Sequence, residues 1–213
     1  MTGPTLERER ALWAAGCRFV VGVDEVGRGP VAGPVVAAAV VFPPDQGEIA
    51  GLRDSKLMTA AEREAAAVVV REAALAWALG AASVHEIDRI NILRASVLAM
   101  RRAIGRLSVP AEHVLVDGNP VPDLGHRHET IVGGDNRSLS IAAASVLAKV
   151  VRDRLMVALG KHYPEFHWER NKGYATRGHL SAIDAGGLTP HHRRSFAPVS
   201  QLALFSRSDN PVS

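Results

Sequence analysis

Four acidic residues stand where side-chain type and spacing suit them to chemistry. Asp24 and Glu25 follow the apolar run FVVGV at 19 to 23, Asp117 follows HVLV at 113 to 116, and Asp135 follows TIVGG at 130 to 134. One acid at the end of an apolar segment is ordinarily solvated or a cap. Three separate segments that each deliver an acid beside glycine form a set. Carboxylates without a cysteine cluster or an obvious histidine set select hard divalent cations, Mg²⁺ or Mn²⁺. Two such ions bridged by carboxylates suit an in-line displacement at phosphorus, so the reaction class expected is phosphodiester hydrolysis. Gly27, Arg28 and Gly29 follow directly, and a guanidinium beside glycine-exposed N–H groups suits a phosphate.

The elements that must position these residues can be read from the apolar pattern. Phe19 to Val23 and Val35 to Val41 read as buried strands. Successive strand side chains point to opposite faces. Asp24 and Glu25 can therefore approach one site only if the strand ends there and turns, a turn that Gly27 and Gly29 permit. Asp54, Ser55 and Lys56 precede a helix expected over about 60 to 73, with Thr59 and Glu62 as a capping box. Ser55 and Lys56 are candidate substrate contacts: Lys56 ahead of that helix would make a phosphate site, the alternative being a solvated loop lysine. Ala74 to Val84 reads as a third strand, 91 to 107 as a helix, and His113 to Val116 and Thr130 to Val132 as further strands. A long Ala-rich helix is expected from Ser138 or Ser140 to His162, and a short one near 177 to 185. Asp153 lies too far down the long helix from Asp135 to share a metal site and reads as a partner for a neighbouring Arg. The order β-β-α-β-α-β-β-α makes a mixed sheet whose strand ends on one edge gather Asp24, Glu25, Asp117 and Asp135.

Composition sets the bounds. A chain of 213 residues with 47% hydrophobic content fits one domain with a small appendage. Of its 25 basic residues 21 are Arg, which weakly favours a polyanionic partner. The lone Cys17 excludes a disulfide framework or a cysteine-based zinc cluster. The N-terminal residues lack the order of a signal peptide and no apolar run is long enough for a bilayer, so a cytoplasmic protein is expected.

Ordered motifs also carry a resemblance. DEVGRG at 24 to 29, DSK at 54 to 56, DG at 117 to 118, GGDNRSLSIAAASVLAKVVRD at 133 to 153, GYAT at 173 to 176 and HRRSF at 192 to 196 resemble those of ribonuclease HII, the type 2 ribonuclease H. The resemblance implies an α/β, ribonuclease H-like fold: a mixed five-stranded sheet flanked by helices, over residues 1–162. A small C-terminal helical lobe over 163–200 and a flexible tail over 201–213 would follow. It implies an endonuclease that cuts 5′ of ribonucleotides embedded in DNA or paired with it, with two Mg²⁺ or Mn²⁺ ions, leaving a 3′-hydroxyl and a 5′-phosphate. The roles implied are ribonucleotide excision and primer removal. The metal ligands would be Asp24, Glu25, Asp117 and Asp135, helped by substrate phosphate. Gly27, Arg28 and Gly29 would contact the ribose 2′-OH, and Tyr174 would stack on the following deoxyribose.

Several residues keep two readings. His192 and Arg193 suit either phosphate contact or fixing the C-terminal lobe, and Lys149 and Arg152 either nucleic acid or solvent. His126, His128, His162 and His167 share no ligand spacing and are expected to be loop residues. Gln201-Leu202-Ala203-Leu204-Phe205 resembles the short peptide that grips the DNA polymerase sliding clamp, with Leu204 and Phe205 as anchors. The alternative is that Leu202 and Leu204 finish a packed C-terminal element. Two other functions stay open: an inactive nucleic-acid-binding module of the same fold, and a nuclease restricted to long hybrids. No dimer interface is evident, so a monomer is expected.

Overall fold

The structure, a computed structural model, describes residues 3–49 and 51–201. Its strands are Val20–Val26 (β1), Val35–Val41 (β2), Ala76–Ala82 (β3), His113–Asp117 (β4) and His128–Ile131 (β5). The helices of a turn or more are Glu7–Ala14 (α1), Ala60–Ala73 (α2), Val84–Ile104 (α3), Leu139–His162 (α4), Trp168–Asn171 (α5) and Arg177–Gly186 (α6). One mixed sheet results, in the order β3-β2-β1-β4-β5. The central β1 runs antiparallel to β2 and parallel to β4, and β4 runs parallel to β5. No helix among the described residues is long and apolar enough to cross a membrane.

The chain divides into two compact units. The larger comprises Met1–Val26, Val36–Ala81 and Ser96–Val151, and the smaller Gly27–Val35, Ala82–Ala95 and Arg152–Ser213. The smaller unit is thus discontinuous: it takes the Gly27–Val35 loop and the start of α3 as well as the C-terminal part. A linear reading of a lobe at 163–200 does not anticipate this.

In the larger unit, Val36, Ala38 and Val40 of β2 pack with Ala142, Ala143, Val146 and Leu147 of α4, and with Ala67 and Val70 of α2. The alanines of α4 let its backbone come close to the sheet. A Cβ added at Gly22 would fall 2.2 Å from the carbonyl carbon of Ser140, so β1 and the start of α4 meet at a point where only glycine fits. The fully buried Glu9 of α1 fixes that start, accepting from Ser138 Oγ and Ser140 Oγ at 2.6 Å each and from Ser140 N at 2.9 Å. The N-terminal helix therefore has a structural task that its sequence did not disclose. In the smaller unit, Val31, Ala32, Met156, Phe166, Trp168, Ile183 and Val199 form a separate apolar cluster.

Three expectations shift. β1 does not stop at Val23 but carries Asp24 and Glu25 in ladder register with Ala38 and Ala37, because β2 offers it a full-length partner. The turn begins at Gly27, whose φ of 95° requires glycine. Helix α3 starts at Val84, earlier than expected, and is broken at Asn91, whose φ of 67° interrupts it and whose Oδ1 accepts from Arg94 N at 3.1 Å, restarting the helix.

Candidate active site

In the larger unit the acids come from three places: adjacent positions of β1, the last residue of β4, and the one-turn 3₁₀ helix Gly134–Asn136 ahead of α4. Asp24 is buried at 7% exposure. Its Oδ1 accepts from Glu25 N at 2.7 Å, and Ser145 of α4 also bonds it. Burial first, then the charges of Glu25 and Asp117, hold its pKa well above the usual carboxylate range. Asp117 accepts from Gly134 N at 2.7 Å, a contact that ties β4 to the Asp135 turn. Its own pKa is raised, by burial and then by Asp135. Asp24 thus interacts with Glu25 and Asp117, and Asp117 with Asp135: the four acids predicted from sequence form one chain of repelling neighbours.

A cation stands beside Asp135. Lys56 Nζ lies 3.3 Å from Asp135 Oδ2; the Lys56 side chain is 75% exposed and that of Asp135 is 4% exposed. Burial alone would lower the Lys56 pKa, but Asp135, Asp54 and Asp24 outweigh it and raise it. Lys56 belongs to a 3₁₀ turn, Ser55–Leu57, opened by Asp54, whose side chain accepts from Lys56 N. Ser55, expected to contact substrate, is instead buried and hydrogen-bonded to Ser145 Oγ at 3.0 Å. Ser55 and Ser145 therefore form a line behind Asp24. Ser145 escaped sequence analysis because, within an alanine-rich helix, it looks like one more small residue.

All donors here are carboxylate oxygens, which fits Mg²⁺ or Mn²⁺ and no softer ion. Among the described residues no three Asp, Glu, His or Cys side chains stand close enough together to form a ready-made metal cage. Mg²⁺ binds through one or two carboxylates and completes its shell with water and substrate phosphate. A partly buried, self-repelling set of acids gains from a divalent cation more than any single acid does.

The smaller unit holds the other predicted elements. Arg28 and Gly29 are exposed on the loop after β1, and Tyr174 is 49% exposed. A Cβ at Gly29 would lie 3.6 Å from the Tyr174 ring, so the glycine and the tyrosine face each other. His192 and Arg193 do not reach out to phosphate: they are 1% and 0% exposed. The Arg193 guanidinium donates to the carbonyls of Gly27 (2.6 Å), Arg28 (2.9 Å) and Gly33 (2.8 Å). Arg152 is buried likewise and faces neither nucleic acid nor solvent; it donates to Pro34 O, Lys172 O and Ala32 O at 2.9, 3.0 and 3.1 Å. Burial pushes Arg152 down to about 10, and burial with Arg152 nearby pushes Arg193 down to about 9; both remain charged at neutral pH. Two internal cations therefore hold the 27–35 loop by its carbonyls. Arg193 thus fixes the lobe, one of its two expected readings, whereas the internal role of Arg152 was not among those expected. His126, His162 and His167 are exposed and His128 half-buried; His126 and His167 lie in loops as expected, whereas His128 opens β5 and His162 ends α4. Of the clamp-like pentapeptide, Gln201 is exposed, while Leu202, Leu204 and Phe205 lie outside the described residues.

Comparison with known proteins gives a consistent picture. The family model described as Ribonuclease HII matches residues 21–199. A curated Ribonuclease HII of Paracoccus denitrificans is 56% identical over 204 residues, 95% of this chain and 96% of its own. Among solved structures, the ribonuclease H2 of Pyrococcus horikoshii superposes with a TM-score of 0.77 at 24% identity, covering 90% of this chain and 100% of that one. The ribonuclease HII of Archaeoglobus fulgidus, solved as a PCNA:RNase HII complex, gives 0.71 at 25% identity, covering 86% and 96%. The extent of the family match and the identity to full-length relatives place the chain in the ribonuclease HII family, metal-dependent endoribonucleases acting on RNA/DNA hybrids and embedded ribonucleotides.

Proposed function

We propose that the chain hydrolyses the phosphodiester on the 5′ side of a ribonucleotide embedded in duplex DNA or lying in an RNA/DNA hybrid, leaving a 3′-hydroxyl and a 5′-phosphate. The observation that supports this best is the repelling set of acids around buried Asp24, with Lys56 beside it. A mere binder gains nothing from concentrating negative charge where phosphate must come. Asp24, Glu25, Asp117 and Asp135 are the proposed ligands of two divalent ions, Mg²⁺ or Mn²⁺. When bound, such ions supply a nucleophile from water at neutral pH and charge stabilisation for the leaving oxygen. The chain's residues set the stage: Ser145 orients Asp24, Gly134 N–H orients Asp117, and exposed Lys56 is placed to exchange Asp135 for a phosphate oxygen. Arg28 and the backbone around Gly29 read the 2′-OH, the group that separates RNA from DNA. The Tyr174 ring stacks on the next sugar. Removal of ribonucleotides and of RNA primers by a cytoplasmic monomer is the cellular role we assign.

Cleavage of a duplex with one ribonucleotide, beside continuous-hybrid and all-DNA controls, tests this. Metal-dependent incision 5′ of the ribonucleotide is expected, falling about a thousandfold or more in Asp24→Asn, some 4 kcal/mol of barrier. Cutting of the hybrid alone would keep the carboxylate site and remove the roles of Arg28 and Tyr174. Binding without cutting would make the chain a binding module.

The archaeal relative solved with PCNA, a sliding clamp, supports a second role. We assign clamp binding to Gln201, Leu202, Leu204 and Phe205, with apolar anchors dropped into a groove of the partner. Capture of the chain by the bacterial clamp that survives Leu204→Ala with Phe205→Ala would end this assignment.

A further inference from the structure

Beneath Tyr174 the smaller unit contains a closed line of hydrogen bonds that neither metal nor substrate explains. His179, His192 and Trp168 are each 0 to 1% exposed. Donor and acceptor chemistry allots the protons on this line, with the single lone pair of His179 Nε2 shared between two donors. Trp168 Nε1–H only donates, and it lies 3.0 Å from His179 Nε2, which must accept. His192 Nε2 lies 3.0 Å from the same atom and must therefore carry a proton. His192 Nδ1 is left to accept, and Thr189 N–H donates to it at 3.0 Å, with Thr189 Oγ1 also 3.0 Å away. His179, unprotonated at Nε2, must carry its proton on Nδ1, which is 2.8 Å from the carbonyl oxygen of Tyr174. A carbonyl can only accept, so the line runs one way: Thr189 to His192 to His179 to Tyr174. Burial lowers the pKa of both histidines, that of His192 to about 4, so the neutral tautomers persist at neutral pH.

The line ends on a backbone that is fixed on every side. Tyr174 N donates to Asn171 O at 2.9 Å, and its carbonyl also accepts from Thr176 N at 2.8 Å. Gly173, just before it, is pressed so closely on Ala32 that a Cβ would fall 2.5 Å from the Ala32 oxygen. The Tyr174 ring itself is exposed beside Gly29. A stacking ring depends for its angle on the backbone that carries it, since only two side-chain torsions lie between. We propose that His179, seated by His192 and Trp168, is a positioning residue that aims the Tyr174 ring and so sets the preference for a ribonucleotide–deoxyribonucleotide junction over a continuous hybrid. This rests on the reading of Tyr174 as the residue that stacks on the sugar.

Two amides separate this role from simple packing. The Asn side-chain nitrogen can occupy the place of imidazole Nδ1, and the Gln side-chain oxygen the place of Nε2. His179→Asn therefore keeps the donor to Tyr174 and loses the acceptor for Trp168 and His192, while His179→Gln does the reverse. Both, with Tyr174→Ala, are assayed for kcat/KM on a single-ribonucleotide duplex and on a continuous hybrid, and for thermal midpoint. The ratio of the two kcat/KM values is expected to fall about tenfold in His179→Gln, near the Tyr174→Ala value, and to stay within about twofold of wild type in His179→Asn, whatever the midpoints. A ratio kept in His179→Gln but lost in Tyr174→Ala would overturn the proposal alone. A ratio unmoved in Tyr174→Ala would overturn the stacking reading and the proposal with it. ¹⁵N NMR of the wild-type histidines is a check free of mutation: His179 protonated at Nδ1 and His192 at Nε2 is expected, and either opposite tautomer would overturn the proposal.

Discussion

Arg152 and Arg193 are cations whose forks hold carbonyl oxygens, and the distinction from a phosphate contact is measurable. A side chain that neutralises a phosphate contributes to the dependence of binding on salt, by roughly one in the slope of log K against log salt. Lys56→Ala is therefore expected to lower that slope by about one. Arg193→Lys should leave it unchanged while lowering stability by about 3 kcal/mol, because one ammonium cannot replace a planar fork serving Gly27, Arg28 and Gly33. A slope that fell in Arg193→Lys, with the fold intact, would return Arg193 to the nucleic-acid surface. The four acids were legible in the sequence because each sits at a break in an apolar run. Of the two arginines, Arg193 takes the structural one of its two expected readings, while Arg152 takes neither of its own, since burial of a charged side chain depends on which distant carbonyls the fold brings to it.

At the scale of elements, the approach of β1 to α4 carries the geometry of the acids. Gly22→Ala would place a methyl within 2.2 Å of Ser140 backbone, and neither strand nor helix can yield there without moving Asp24 from Ser145. A loss of about 1–3 kcal/mol is expected, together with a fall in turnover; unaltered thermal midpoint and turnover would show that the contact has slack. Most elements could be read from apolar period and caps, α2 and its Thr59–Glu62 capping box being the clearest. The extension of β1 through the acids could not, because strand length follows from the partner's ladder and not from local composition. Nor could the small unit's histidine line, in which residues 168, 179, 189 and 192 share no period. That line predicts a pH effect. His192 titrates near 4 when folded against an ordinary value of 6.5, so as pH falls the unfolded chain takes up the proton first. Its contribution is complete above pH 6.5 and is lost between about 6.5 and 4, by up to about 1.4 kcal/mol per pH unit. Denaturant unfolding at pH 7 and 5 should show a smaller loss in His192→Gln than in wild type; equal losses would contradict this.

For the molecule as a whole, family membership supplies the reaction, and the means we propose are the chain's own residues: four carboxylates with a lysine in one unit, and a glycine–arginine loop with an exposed tyrosine in the other. The order of motifs along the sequence was enough to foresee both sets. The discontinuous smaller unit was not foreseen, because contacts between residues 27 to 35 and the C-terminal part join segments more than a hundred positions apart. The claim on which everything rests is that Asp24, Glu25, Asp117 and Asp135 hold the divalent ions. Anomalous diffraction from crystals grown with a single-ribonucleotide duplex and soaked in Mn²⁺ tests it directly, whether or not the strand has been cut. Manganese peaks within about 2–2.3 Å of oxygens of these four carboxylates are expected; peaks confined to other side chains, with these carboxylates bare, would contradict it.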